Sequence, residues 1–393
     1  MIETIYIGMS GLTGYSSGLR GIANNVANLN TPGFKSSSLE FSSMFYSNEG
    51  SAGARQGSVS PQFGHGVATG QSSLNFRQGD LRQTGNSLDL AVEGQGLFVL
   101  RDAGGGLRYT RAGQFEMTQE GFLVDRVSGA KVMGLDGSGQ LVEVNITAHR
   151  VNAPKSTGNL SFTGNLASSK SEETVSGLTV IDGSGAQHAL TATFTKETGT
   201  EDLRWKVTLA EGSTTVGTAT VTFVDGKPKA GTDKPSFSYK PAGQPQLTLT
   251  LDLGAVTSFA SGGAPVSVSG HDGYQAAAMS KFSFTDKGAL KFEFANGQTG
   301  EGPRLALANV DTPQLLEAVG GNSFVAVDGA EVSYGAAGEG AFGSVRAGSV
   351  EISNVDLSQE FSDMVIMQRG YQASAQVVST ANDMLQELFG MKR

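Results

Sequence analysis

A chain of 393 residues with a net charge of −9 has no basic field to gather nucleic acid, and it is too long for one hydrophobic core, so two or three domains are expected. The absence of cysteine excludes disulfides, thiolate nucleophiles and the common zinc frameworks, leaving packing to hold the fold. Glycine, at 55 residues, is about twice as frequent as the ~7% usual in globular chains, which favours many tight turns between short strands.

The opening stretch, "MIETIYIGMSGLTGYSSG", has neither the cationic start nor the continuous apolar core of a signal peptide, and no run approaches the ~20 apolar residues of a membrane span. Neither a cleavable leader nor membrane insertion is expected, so work outside the cell would need a dedicated exporter. Steps of alternately three and four residues from Ile5 meet Gly8, Leu12, Tyr15, Leu19, Ile22, Val26 and Leu29, a coiled-coil-like stripe. Only Glu3 and Arg20 are charged among the first 34 residues, too few for a solvated outer face. Gly8, Gly11, Gly14, Gly18 and Gly21 lie about a quarter-turn from the stripe, and each costs roughly 1 kcal/mol against alanine in an isolated helix. The helix is therefore expected to be weak alone and to lend its glycine face to close packing in an assembly. An ordinary two-helix hairpin is the competing reading.

Asn24, Asn25 and Asn28 recur at helical spacing and predict defined polar contacts, with capping as the plainer role for Asn28 and Asn30. Pro32 bars helical geometry at Thr31, and Gly33 permits the turn that redirects the chain, so these three residues form the expected hinge. From Ser47 to Gly70 the sequence is rich in Ser and Gly with few large apolar residues, as in an extended connector.

Beyond it the period switches to two. "SLDLAVEG", "GLFVL", "RYTRAGQFEM", "GFLVDR", "KVMGL" and "QLVEVNI" are short strands punctuated by glycine turns, and the pattern returns in "KFSFTDKGALKFEF". Between about 151 and 273 the strands alternate Thr with an apolar residue ("ALTATFTK", "TATVTFVDG", "QLTLTLDL"), as in a half-solvated sheet, which reads as a second β-domain inserted into the first. At the far end, three-and-four stepping resumes through Leu357, Phe361, Met364, Gln368, Tyr371, Ala375, Val378, Asn382, Leu385 and Phe389. If both terminal helices leave one β-body, they pair antiparallel.

Catalytic patterns are weak. Gly14-Tyr15-Ser16-Ser17-Gly18 fits G-x-S-x-G but lies inside the helical pattern, where no nucleophile elbow can form. Gly338-Glu339-Gly340-Ala341-Phe342-Gly343 fits G-x-G-x-x-G but is followed by strand-like sequence in place of a phosphate-binding helix. His65, His149, His188 and His271 are scattered singly and read as surface or turn residues. No enzyme activity, catalytic residue, cofactor or metal is expected.

Taken together, "ANNVANLNTPGFK", then "SLDLAVEGQGLFVL" with "RYTRAGQFEMTQEGFLVD", then "GSVEISNVDLSQEFSDMVIMQRGYQASAQVVSTANDMLQEL" resemble the N-terminal, β-domain and C-terminal blocks of the bacterial flagellar rod, hook and hook-associated protein family. The long insert and total length are similar to the family's hook members more than to its shorter rod members; a distal-rod subunit and a secreted β-rich adhesin are the alternatives. The family's first helix often carries more alanine where this chain has glycine. The resemblance implies a mixed, mainly β fold: a helical root of residues 1–32 and 356–393 paired as an antiparallel coiled coil, and an extended connector of 33–72 and 340–355. An inner β-domain of 73–150 and 274–339 and an outer inserted β-domain of 151–273 would complete it. It implies a curved, flexible tube of many copies that passes motor torque to the filament. It also implies a rod protein at the proximal end, a hook cap during assembly, a hook–filament junction protein at the distal end, and a flagellar export apparatus. The expected polymerisation interface comprises Ile5, Leu12, Leu19, Ile22, Asn24, Asn25, Val26, Asn28, Leu29, Leu357, Phe361, Met364, Gln368, Tyr371, Val378 and Leu385.

Overall fold

A computed structural model describes residues 2–44, 46–48, 62–198, 202–260 and 263–391; part of the expected 33–72 connector, residues 45 and 49–61, lies outside them. The fold is mainly β, with one long helix at each end, α1 (Ile2–Ala27) and α2 (Leu357–Met391). The chain divides into two compact units. Met1–Thr147, Ser283–Lys291 and Glu301–Arg393 form the first, and Ala148–Phe282 with Phe292–Gly300 form the second, inserted in sequence into the first.

In the first unit, strand Leu97–Arg101 is central. It pairs antiparallel with Leu107–Thr110, with Lys131–Leu135 and with residues 307–308. Its alternate residues Leu97 and Val99 join Tyr109, Met133, Ala308 and Phe324 in one core cluster, the period-two pattern converted into burial. Phe98, on the other face, packs edge-on against Phe115 at 5.1 Å. The turns are built by aspartate: Asp136 Oδ1 accepts hydrogen bonds from Ser138 N at 2.8 Å, Ser138 Oγ at 2.6 Å and Gln140 N at 2.9 Å, closing the hairpin without further packing.

The approaches to the helices are also strands. Ser37–Ser43 and Val67–Leu74 form an antiparallel ribbon, Ser344–Ala347 pairs with Leu90–Glu93, and Ser349–Glu351 pairs with Leu81–Gln83. The alternation in "SVRAGSVEIS" is thus spent on ladder bonds that satisfy its backbone. Gly14–Gly18 lies wholly within α1, and residues 337–341 form turns leading into Ser344–Ala347.

Within the second unit, two sheets share one core. Strands Glu172–Ile181, Gln187–Glu197, Leu203–Glu211, Thr214–Val224 and Lys227–Pro228 follow one another in an antiparallel sheet of five. The other sheet orders Ser236–Tyr239, Leu247–Thr257, Asn159–Asn165 and Ser267–His271, with a parallel pairing between its two middle strands. Leu190, Ala192 and Phe194 point inward while the threonines between them stay partly or fully exposed, and Trp205 is fully buried with its Nε1 donating to Ser258 Oγ at 3.2 Å. Strands Asn159–Asn165, Ser236–Tyr239 and Ser267–His271 escape sequence reading because Ser, Gly and Asn dilute their alternation.

Candidate assembly interface

The two terminal helices pair antiparallel, as a constant register shows: Gly8 meets Val378, Gly11 meets Ser374, Tyr15 meets Gly370, Gly18 meets Met367 and Asn25 reaches Glu360. The buried residues of α1 are Gly8, Gly11, Gly14, Gly18, Ile22 and Asn25. This revises the expected roles of the two faces. The glycine face, expected to serve neighbouring molecules, meets α2 of the same chain at Gly8, Gly11 and Gly18, while Gly14 packs against Phe41 and Thr69 and Gly21 has open space beside it. A Cβ on Gly8 would sit 2.6 Å from Val378 Cγ2, and one on Gly11 2.6 Å from Ser374 Oγ.

Consequently the larger apolar side chains are left partly or wholly uncovered. Of the expected interface residues on α1 and its end, Ile22 is buried and Ile5, Leu12, Leu19, Val26 and Leu29 are half-buried. On α2, Met364, Val378 and Leu385 are half-buried, whereas Leu357, Phe361, Gln368 and Tyr371 are exposed. Beyond the expected set, Tyr6 is 66% exposed, Ile366 61% and Phe389 73%. Among α2 residues only Ala381 is buried. Among the described residues, no helix is long and apolar enough to cross a membrane.

The asparagines divide their work. Asn25 is buried: its Nδ2 donates to Ser37 O at 2.9 Å and Glu360 Oε1 at 2.8 Å, and its Oδ1 accepts from Ser37 N at 3.1 Å. One amide therefore ties α1 to the first residue of the ribbon and to the first turn of α2. Burial pushes the Glu360 carboxyl above its ordinary range, helped by the nearby Asp363 and Asp356 carboxylates and opposed by the Asn25 bond. Asn28 turns inward on the helix end instead, its Nδ2 donating to Asn24 O at 2.9 Å and its Oδ1 accepting from Thr31 Oγ1 at 3.1 Å, while Asn24 is exposed. Asn28 is thus an end-capping residue within the chain.

At the hinge, Gly33 takes φ +70°, and a Cβ there would collide with the backbone of Arg111 and Ala112. Its N–H donates to Glu351 O at 2.8 Å, and Pro32 O accepts from Asn322 Nδ2 at 2.9 Å. Gly33→Ala is therefore expected to cost about 2 kcal/mol or more in unfolding free energy, read from urea melts of the monomer. A cost under half that would show that the turn can relax.

Next to the hinge is a buried ion cluster that sequence reading missed. Lys35 Nζ donates to Glu351 Oε1 at 2.6 Å and to Arg77 O at 2.8 Å, and the same carboxylate oxygen accepts from Gly79 N at 2.9 Å. Both side chains are fully buried, and Arg111 Nη1 lies 3.3 Å from Glu351 Oε2 while its two terminal nitrogens donate to Val92 O and Gly94 O. Burial lowers the Lys35 ammonium and the Arg111 guanidinium, against the pull of Glu351. Asn354 completes the stitch, accepting from Ser36 N at 2.8 Å and donating to Asn75 O and Arg77 O at 2.7 and 2.9 Å. The visible signal is a lone charge in an apolar strand: "SVEIS" places Glu351 between Val350 and Ile352, and Lys35 follows 14 residues without a charge.

Three segments of the chain match family models: residues 5–35 that of the flagella basal body rod protein, 91–165 that of the flagellar hook protein FlgE/F/G D1 domain, and 346–391 that of the flagellar basal body rod FlgEFG protein C-terminal region. Along its length the chain is similar to the flagellar hook protein FlgE of Brucella suis, 30% identical over 98% of each chain. The same holds for FlgE of Borreliella burgdorferi, 28% identical over 100% of each, and of Escherichia coli K12, 28% over 98% of each. With matching blocks at both ends and in the β-body, and full-length similarity on that scale, the chain belongs to the flagellar hook protein FlgE family.

Proposed function

We propose that this chain is the repeating subunit of a flagellar hook, a structural and non-catalytic protein that polymerises into a curved tube and carries motor torque to the filament. The observation that carries the reading is the division of labour in the helix pair. Glycine seals α1 to α2 within one chain, and large apolar side chains such as Tyr6, Phe361 and Ile366 are left facing outward, where other copies would bury them. The helices and their Asn25 joint form the core of the polymer, with 33–72 and 340–355 linking them to the β-body. A rod protein at the proximal end, a cap during growth, a junction protein at the distal end and an export apparatus are the partners this role requires, on the outside of the cell.

The test is a pair of outward substitutions, Tyr6→Ser with Ile366→Ser. Exposed in the monomer, they should shift its unfolding by no more than about 0.5 kcal/mol. Each removes an apolar contact worth roughly 1.5 kcal/mol or more when buried, so the critical concentration for tube formation should rise at least about tenfold. Tubes forming at the parent's critical concentration, seen by sedimentation and electron microscopy, would remove the helix faces from the assembly.

A further inference from the structure

Sequence spacing leaves His188 isolated, but the fold does not. In the second unit its Nε2 lies 3.1 Å from Asp182 Oδ2 and its Nδ1 lies 3.1 Å from Glu211 Oε1. Asp182 belongs to the turn after strand Glu172–Ile181, His188 to strand Gln187–Glu197, and Glu211 to the last position of strand Leu203–Glu211. The three therefore gather at one end of the five-stranded sheet. A neutral imidazole carries one N–H and can satisfy one carboxylate; its other nitrogen would face the second carboxylate lone pair to lone pair. Two carboxylates at hydrogen-bond distance, one on each ring nitrogen, are satisfied only by the imidazolium.

We propose that His188 is an acid-strengthened clamp: protonated, it holds Asp182 and Glu211 together and ties two neighbouring hairpin turns, and it releases one of them as pH rises. The surroundings fit this role. The Asp182 side chain is almost fully buried, and its Oδ1 is already taken by Ser184 N, Ser184 Oγ and Ala186 N, which leaves Oδ2 for His188. Tyr239, from the other sheet, packs its ring edge-on against the imidazole at 5.8 Å, and its buried hydroxyl faces Glu211. Burial raises that phenol, with Glu211 and Asp182 adding to the effect, so it stays neutral. Asp182, Glu211 and Tyr239 are thus the titratable groups facing the ring, and the carboxylates are what change its charge.

The direction of the pH effect follows. The hydrogen bond to Asp182 raises His188 above its ordinary value, burial opposes the shift, and Glu211 reinforces it. A base raised in the folded state contributes fully below its unfolded pKa, about 6.5, and the contribution is lost as pH climbs through the folded value. On the acid side, bonds from Ser184 and then from His188 hold Asp182 well below the usual carboxylate range, so the clamp survives mild acid. The second unit should be tightest in mildly acidic medium and loosen in alkaline medium.

The chain contains one tryptophan, Trp205, fully buried in this unit, so its fluorescence follows the second unit within the intact protein. In urea titrations of the full chain, the unfolding constant seen by Trp205 should rise roughly threefold between pH 6 and pH 9, the scale of a partly exposed ion pair. His188→Gln should flatten that rise, and His188→Lys, charged at both pH values, should flatten it while keeping the acid-side stability. An NMR titration of the parent imidazoles, His188 assigned by its absence in the variants, should place it above an unperturbed histidine. Equal pH slopes in parent and His188→Gln, or a His188 that titrates at or below the unperturbed value, would overturn the clamp. If neither variant folds, the parent titration decides alone, since it then requires one of the four histidines to titrate high.

Discussion

Glu351→Ala should lower the unfolding free energy of the first unit by about 3–5 kcal/mol, the cost of breaking a buried ion pair from one side. The carboxylate lies between two buried cations, and its removal takes the ion-pair partner from Lys35 and Arg111 and the acceptor from Gly79 N. Glu351→Gln separates charge from shape: it keeps an acceptor for Lys35 and Gly79, so it should recover part of the loss and not all. The effect should also be local. The ladder Ser349–Glu351 against Leu81–Gln83 and the bond from Gly33 N to Glu351 O pass through this residue, so hydrogen exchange should accelerate at residues 33–36 and 79–83 first. Trp205, in the other unit, should report no change. A loss of less than about 1 kcal/mol for Glu351→Ala would mean that water reaches the cluster and solvates the cations. The cluster fixes the strand leading into α2 to the segment leading out of α1.

How much of this was legible depends on which physical rule governed each element. Period-two alternation exposes half-buried strands, so Leu97–Arg101, Lys131–Leu135 and Gln187–Glu197 could be read from their residues. The same rule fails where a strand is diluted by serine and glycine, as in Ser267–His271. The helices were legible as helices, and their antiparallel pairing follows from the chain's path. Their contact face was not, because hydropathy marks large apolar residues, while a close helix pair is decided by the smallest ones. Asn25 stood out as one of three asparagines at helical spacing beside the apolar stripe, but its partners Ser37 and Glu360 are 12 and 335 residues away. Lys35, Arg111 and Glu351 were missed for the same reason: nothing in local sequence records that three charges share one buried site.

Two glycines on α1 should respond to substitution with opposite signs, and the contrast isolates the seam. Around Gly21 nothing lies within 4 Å of the place an added Cβ would take, so Gly21→Ala adds helix propensity without a clash and should stabilise the root by about 1 kcal/mol. At Gly8 the same gain is available but the space is not. A Cβ would meet Val378 Cγ2 at 2.6 Å and Ser374 O at 3.3 Å, and valine, branched at Cβ, cannot swing aside freely. Gly8→Leu carries the conflict further and should cost about 1–3 kcal/mol, the range for overpacking a filled contact. Since the overlap lies between α1 and α2, relief requires the helices to separate, which exposes Val378 and Ser374 and shifts every outward residue relative to its counterpart on the other helix. Circular dichroism of the monomer should therefore show Gly21→Ala more helical and Gly8→Leu less so, and only the latter should fail to form tubes. A Gly8→Leu protein that pairs its helices and polymerises like the parent would show that the glycine face does not set the spacing of α1 and α2, and with it would go the reason for assigning the large apolar side chains to neighbouring copies.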